Sequence, residues 1–251
     1  MSAVVAFIPA RLGSARLARK PLQDLGGKTL IVRVCEAVAK TELFERIVVA
    51  TDHDDIATVV RQAGFTAVLT DPQLPSGTDR IAAAAAQIKL DADARIVNVQ
   101  GDEPFVDATL LRDVLSSLGM HPEAVVTPVE VLKELSELRD PNVVKAVLGG
   151  GGRALYFSRA AVPYDRDSAN TQPSEVHFRH VGVYAYTHTT LRRITQLPAH
   201  PLETCERLEQ LRWLAYGQEV RCVEVAAGRR GIDTEEDLQR ARAYFADSAK
   251  A

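Results

Sequence analysis

The chain has 251 residues, of which 46% are hydrophobic and 25% charged, and a formal net charge of -3. Such a length can bury a sizeable core in one or two domains, and the composition argues against disorder. A faintly acidic balance without a broad basic footprint argues against nucleic acid as a partner, and no apolar run is long enough for membrane insertion. Cys35, Cys205 and Cys222 are odd in number, far apart and without metal-type spacing. Together with the lack of a signal-type leader, they suit a reducing compartment, and a cytoplasmic protein is expected.

The first strand is expected over residues 4–8, an apolar run stopped by Pro9. The loop beyond it carries Arg11, Arg16, Arg19 and Lys20 and no acidic residue. Ligands of open α/β sheets sit at the carboxyl ends of strands, so this loop is placed to meet a polyanion such as a nucleotide triphosphate. Gly27-Lys28-Thr29 imitates the end of a P-loop, but Leu22 stands where the first glycine is required, and the segment is better taken as the turn into a helix.

Helices expected over 29–40, 54–63, 78–90 and 108–118 alternate with strands over 46–50, 67–70, 96–99 and 124–127. This alternation predicts βαβ units and a doubly wound, mostly parallel sheet. Alanine's helix propensity accounts for the run at 82–86. Ser76-Gly77-Thr78-Asp79-Arg80 opens a helix and offers hydroxyls and backbone N–H groups to a base edge or an anion; capping alone also explains Ser76 or Thr78.

Val97-Asn98-Val99-Gln100-Gly101-Asp102-Glu103-Pro104 is an apolar strand ending in two acids. Carboxylates at a strand's carboxyl end can hold Mg2+, which favours hard oxygen ligands and keeps waters beside substrate phosphates. A partner acid is offered by Gly231-Ile232-Asp233-Thr234-Glu235-Glu236-Asp237, where Asp233 or Thr234 could equally be a helix cap.

After Pro141 the rhythm changes. Strands over 143–148 and 154–158 flank Gly149-Gly150-Gly151-Gly152 and predict a glycine-turned hairpin. A strand over 176–186, a helix over 202–216, a strand over 220–225 and a helix over 234–244 follow. On an extended strand His177 and His180 point to opposite faces, whereas His180 and Tyr184 share one.

Ile8-Pro9-Ala10-Arg11, Arg16-Leu17, Lys20-Pro21-Leu22, Ala50-Thr51-Asp52, Ser76-Gly77-Thr78-Asp79-Arg80, Asn98 to Pro104, Tyr156-Phe157-Ser158-Arg159, His180-Val181-Gly182-Val183-Tyr184, Leu208-Glu209-Gln210-Leu211-Arg212 and Gly231-Ile232-Asp233-Thr234 occur in this order. Together they closely resemble the 3-deoxy-manno-octulosonate (Kdo) cytidylyltransferases, or CMP-Kdo synthetases. The resemblance implies a Rossmann-like nucleotide-diphospho-sugar transferase fold, α/β, with a mostly parallel central sheet and an antiparallel insertion in the second half. No low-complexity linker or repeat divides the chain, so one domain over 1–251 is expected; the resemblance implies a homodimer, with contacts from about residues 140–190, and Mg2+-dependent transfer of CMP from CTP to the anomeric hydroxyl of Kdo for lipopolysaccharide biosynthesis.

Carried over residue by residue, Ala10, Arg11, Arg16 and Lys20 would hold CTP, with Ser76 reading cytosine and Gln100 reaching both nucleotide and sugar. Asp102 and Asp233 would bind Mg2+ and, with Arg11 and Lys20, form the catalytic set. Arg80, Gln100, Arg159, His180, Tyr184, Glu209 and Gln210 would line the sugar pocket, where an arginine suits a carboxylate through a bidentate pair. The family usually has Pro-Gly between Leu17 and Lys20, where this chain has Ala18-Arg19. A cytidylyltransferase for another acidic sugar is the neighbouring reading, against which the motifs around Arg159 and His180 favour Kdo. A non-catalytic nucleotide-binding protein is the reading from another class, and the matched Lys20, Asp102 and Asp233 argue against it.

Overall fold

A computed structural model describes residues 2–13, 17–228 and 230–248 of the chain. In order, the elements are β1 (Val4–Ala10), α1 (Leu30–Ala39), β2 (Arg46–Thr51), α2 (Asp54–Gln62), β3 (Thr66–Leu69), α3 (Gly77–Ile88), β4 (Arg95–Val99), α4 (Ala108–Met120) and β5 (Val125–Val131). These are followed by α5 (Leu135–Arg139), β6 (Lys145–Leu148), β7 (Ala154–Ser158), β8 (Phe178–His180), β9 (Val183–Thr187), α6 (His188–Thr195), α7 (Pro201–Glu206), α8 (Gln210–Ala215), β10 (Val220–Glu224) and α9 (Glu235–Ser248). The chain forms two compact units. The first comprises residues up to Arg112 together with those from Gly228 onward; the second runs from Asp113 to Ala227.

The sheet of the first unit is parallel, in the order β3-β2-β1-β4, with Phe7 of β1 level with Val48 of β2 and Asn98 of β4. Covered parallel strands bury both faces, and β1 is buried without interruption from Val5 to Ala10. Each large apolar side chain so buried contributes roughly 1.5–3 kcal/mol. α1 packs Leu30, Ile31, Val34, Cys35 and Val38 inward, a helical spacing that gives it one apolar face. β1 runs two residues beyond its expected end, through Pro9. Pairing with β4 has stopped at Phe7, so at the level of Pro9 the strand has β2 as its ladder partner, and a missing N–H is tolerated where a strand is paired on one side.

In the second unit β5 is central, parallel to β10 and antiparallel to β8 and β9. β6 joins β8 to β7, and the β6–β7 hairpin turns through the expected glycines. Two expectations fail there for local reasons. The single strand over 176–186 breaks into β8 and β9, because Val183 N–H donates to Val181 C=O at 2.7 Å and closes a tight turn at Gly182. The helix over 202–216 breaks into α7 and α8, since Arg207 adopts a left-handed φ of 54° that ends the first of them. β5 extends past its expected end at 127 to Val131 through Pro128, and α5 and α6 were not foreseen.

The last helix docks onto the first unit through aromatic rings. Phe245 stacks on Phe105 with centroids 5.6 Å apart, and the Arg33 guanidinium lies 4.6 Å from the Phe245 centroid. Arg242 Nε donates to Asp24 C=O at 3.0 Å. Phe245→Ala removes a stacked pair and a cation–π contact, together about 1–3 kcal/mol. Hydrogen exchange should then show α9 amides exchanging faster than in the unsubstituted protein while β1 and β2 stay protected.

Candidate active site

The sequence folds the first unit so that four loops meet at the carboxyl ends of its strands. After β1 comes the basic loop: Ala10 is buried, Arg11 is exposed, and Arg16 lies outside the described residues. Asp52, just beyond β2, accepts the Leu12 N–H at 3.0 Å and ties the start of this loop down. After β4 the chain passes so close to β1 that a Cβ on Gly101 would stand 2.8 Å from Pro9 O. A fourth segment leads into α9; Ile232 N–H donates to Asp102 C=O at 2.9 Å, and a Cβ on Gly231 would meet the Glu103 carboxylate at 2.8 Å. At 101 a side chain would clash with backbone, whereas at 231 it would crowd Asp102 O at 3.1 Å and need the Glu103 carboxylate to move aside.

This backbone contact brings Asp233 to Asp102. The sequence left open whether Asp233 or Thr234 caps α9. Thr234 does: its Oγ1 accepts the Asp237 N–H at 3.2 Å, while Asp237 Oδ2 accepts from the Asp233 and Thr234 N–H groups at 3.1 and 2.9 Å. With the cap made by Thr234 and Asp237, the Asp233 carboxylate can turn to Lys20.

Lys20 starts a short 3-10 turn, Lys20–Leu22, with Pro21 buried beneath it. Its Nζ donates to Asp102 Oδ2 at 2.6 Å and to Asp233 Oδ1 at 3.0 Å. Burial alone would lower the pKa of this ammonium, and the Asp102 and Asp233 carboxylates more than reverse that, so its pKa is raised. Arg19 belongs elsewhere: its backbone is left-handed, φ 51°, and its guanidinium pairs with Asp55 at 2.6 Å.

No group of three or more His, Cys, Asp or Glu side chains set to hold a metal occurs among the described residues. Asp102 and Asp233 nevertheless suit a hard cation, because both carboxylates converge on one positive charge, the Lys20 ammonium. Two carboxylates completed by water and phosphate oxygens match the way Mg2+ is held beside nucleotides.

Ser76 caps α3, its Oγ accepting from Asp79 N–H at 3.1 Å and donating to the Asp79 carboxylate at 2.6 Å. Gln100 donates to Asn98 Oδ1 at 3.1 Å. Arg80 is 3% exposed, donates to Thr70 Oγ1 at 2.6 Å, and lies 3.8 Å from Asp52. Burial lowers its pKa, Asp52 opposes that, and neighbouring Arg11 adds to it. Arg80 thus sits with the basic loop of the first unit.

The other expected sugar residues belong to the second unit. His180, Tyr184 and Gln210 come together: Gln210 Nε2 donates to Tyr184 Oη, and the His180 and Tyr184 rings are 5.3 Å apart. Thr127 Oγ1 donates to Val183 C=O at 2.7 Å, so His180 Nε2, 2.8 Å from Thr127 Oγ1, carries the proton of the neutral ring. Burial raises the Tyr184 pKa well above its ordinary value, with Glu209 adding to the effect. Gln210 Oε1 is buried and, among the described residues, lacks a hydrogen-bond partner. Glu209 immediately precedes α8. Arg159 is held differently, its Nε donating to Glu206 C=O at 2.7 Å and Nη1 to Pro141 C=O at 2.8 Å.

Asp52, Asn98, Thr127 and Glu206 position these groups without having been assigned roles from sequence. Asn98 and Thr127 carried a usable signal, as polar residues at fully buried positions of apolar strands.

A parallel α/β sheet that gathers a basic loop, a lysine and two carboxylates at its strand ends defines a nucleotidyl-transfer type of protein. The sequence model of the cytidylyltransferase family matches residues 5–221, and the chain belongs to that family. It is 47% identical over 238 residues to the 3-deoxy-manno-octulosonate cytidylyltransferase of Polynucleobacter asymbioticus, covering 94% of this chain and 92% of that one. It is 46% identical over 245 residues to the protein of that name in Polynucleobacter necessarius subsp. necessarius, covering 96% and 95%. Among solved structures it is similar to a CMP:2-keto-3-deoxy-manno-octonic acid synthetase complexed with CTP, with a TM-score of 0.88, 35% identity and coverage of 98% of this chain and 100% of that chain.

Desolvation, with a smaller repulsion from Arg179, pushes the His180 pKa from 6.5 down to about 3. The unfolded chain therefore binds a proton that the folded one refuses, and stability present above pH 6.5 is lost as pH falls toward 3. Thermal unfolding midpoints should decline across that window, and the decline should be shallower in His180→Asn.

Proposed function

We propose that the chain transfers CMP from CTP to the anomeric hydroxyl of Kdo, releasing pyrophosphate. The observation that carries this reading is the Lys20 ammonium shared between Asp102 and Asp233 in a member of the cytidylyltransferase family. The sugar oxygen forms a bond to the α-phosphorus, the bond from that phosphorus to the pyrophosphate oxygen breaks, and the hydroxyl proton passes to solvent. Positioning and charge stabilisation supply most of the help in such transfers.

In the first unit, Ala10, Arg11, Arg16 and Lys20 would hold the triphosphate, Ser76 would read cytosine from the first turn of α3, and Gln100 would be presented by Asn98. Arg80 would bring its charge to the same end of the sheet. Asp102 and Asp233 would hold Mg2+, which when bound offsets phosphate charge and lowers the pKa of a hydroxyl beside it. Lys20 would meet the charge that grows on the pyrophosphate.

In the second unit, His180, Tyr184, Glu209 and Gln210 would orient the sugar, and Arg159 would face its carboxylate. The buried, unpartnered Gln210 Oε1 supports this, since a sugar hydroxyl would give it the donor it lacks. A homodimer, a cytoplasmic setting and a place in lipopolysaccharide biosynthesis belong to the same proposal; the three free cysteines fit a reducing compartment. No helix among the described residues is long and apolar enough to cross a membrane.

Pyrophosphate release is expected with CTP and Kdo together, and not with CTP alone or with ATP, GTP or UTP. No release with Kdo or any other acidic sugar would overturn the proposal. Asp102→Asn and Asp233→Asn should each lower turnover by about two orders of magnitude or more while circular dichroism stays unchanged, because each removes charge from the metal site.

A further inference from the structure

We propose that Lys20 is an internal counter-cation that keeps the two-carboxylate site closed to metal until a nucleotide triphosphate draws its ammonium away. Nucleotide and divalent cation then load as a coupled pair. This rests on the reading of Asp102 and Asp233 as metal ligands.

The geometry makes ammonium and metal exclusive. Nζ holds one oxygen of each carboxylate, at 2.6 and 3.0 Å, and the Lys20 side chain is only 14% exposed. A dication bound to the same two oxygens would lie within a few ångströms of the ammonium, where like charges repel even though Asp102 and Asp233 are 31% and 52% exposed. Either the carboxylates or the ammonium must give way.

The backbone that carries the two acids is held in place. The Ile232 N–H on the Asp102 carbonyl locks their two segments together, and the Thr234–Asp237 cap fixes the entry to α9. The base of Lys20 is fixed as well, by the 3-10 turn in which Leu22 N–H donates to Arg19 C=O at 2.8 Å and Gln23 N–H to Lys20 C=O at 3.1 Å. Of the three side chains, the lysine's four-carbon stem has the longest reach, and it carries a compact, rotatable point charge. A triphosphate arriving along the basic loop offers that charge a partner of higher anionic charge, and the swing of one side chain vacates the site.

An internal competitor weakens metal binding when nucleotide is absent, and its removal by nucleotide appears as positive coupling that is equal in both directions. Phosphate oxygens on the metal would add coupling of their own. The discriminating quantity is therefore metal affinity without nucleotide. A residue that merely supported the fold would lower both affinities on removal, whereas an internal counter-cation moves them in opposite directions.

The test is titration of Mn2+, followed by the electron paramagnetic resonance of the free ion, on the whole protein and on Lys20→Met. Without nucleotide, Lys20→Met should bind Mn2+ about tenfold or more tightly than the unsubstituted protein, the scale set by releasing two partly exposed ion pairs. In EDTA, the same variant should bind CTP more weakly. The double variant Lys20→Met/Asp102→Asn should lose the gain in Mn2+ affinity, and circular dichroism checks that both variants are folded. Equal or weaker Mn2+ binding by folded Lys20→Met would overturn the proposal, and would leave the proposed transfer intact if CTP still recruits Mn2+ to the unsubstituted protein. If the protein with CTP takes up no more Mn2+ than CTP alone, the metal-ligand reading fails, and this inference with it.

Discussion

The amide of Ile232 bound to the carbonyl of Asp102 is the contact on which the site of the first unit depends. It joins the loop after β4 to the segment before α9, two stretches with the whole second unit between them in sequence. One backbone hydrogen bond of ordinary strength suffices because the neighbouring residues leave few alternatives. Gly101 lets the first stretch pass against Pro9, Gly231 lets the second pass against Glu103, and the Thr234–Asp237 cap fixes the direction in which the helix leaves. Most of the entropy of bringing two acids to one point is thus met by the fold and not by the ligand.

The division of polar roles follows from that constraint. At the start of α9 two residues could cap, and Thr234 does so with Asp237, which leaves Asp233 facing Lys20. At β4, Asn98 is buried inside an apolar strand and engages Gln100 at the strand's mouth. In the second unit Thr127 does the same for His180, fixing which ring nitrogen bears the proton. Groups that would face a ligand are supported from beneath by buried polar residues, an arrangement in which each support has a single satisfied geometry.

Much of the first unit was legible because period and punctuation agreed. Apolar runs of strand length, alternating with helical patterns, placed β1 to β4 and α1 to α4 within a residue or two at most ends. The second unit was less legible where tertiary contacts override local pattern. The alternation over 176–186 carries one mark of its break, Gly182, where the turn falls, and Arg207 takes a left-handed backbone that arginine rarely prefers. The cationic loop was legible as a cluster but not in its division: Arg19 and Lys20 are adjacent, yet one turns to Asp55 and the other to Asp102 and Asp233. Arg19 also holds a positive φ, where the resembling family's glycine would be at ease. The pairing of positions 102 and 233 was suggested by the acids themselves and given its role by the resemblance, since no periodic signal connects residues so far apart.

The first unit is assembled from both flanks of the second. On the ribosome, the strands β1 to β4 and the residue Lys20 are made before the second unit, whereas Asp233 emerges only after all of that unit has been synthesised. A nascent chain halted between Asp102 and Asp233 carries the lysine and one of the two carboxylates, without the other. The order of the sequence therefore delays the appearance of the complete acid pair until the whole second unit has been synthesised.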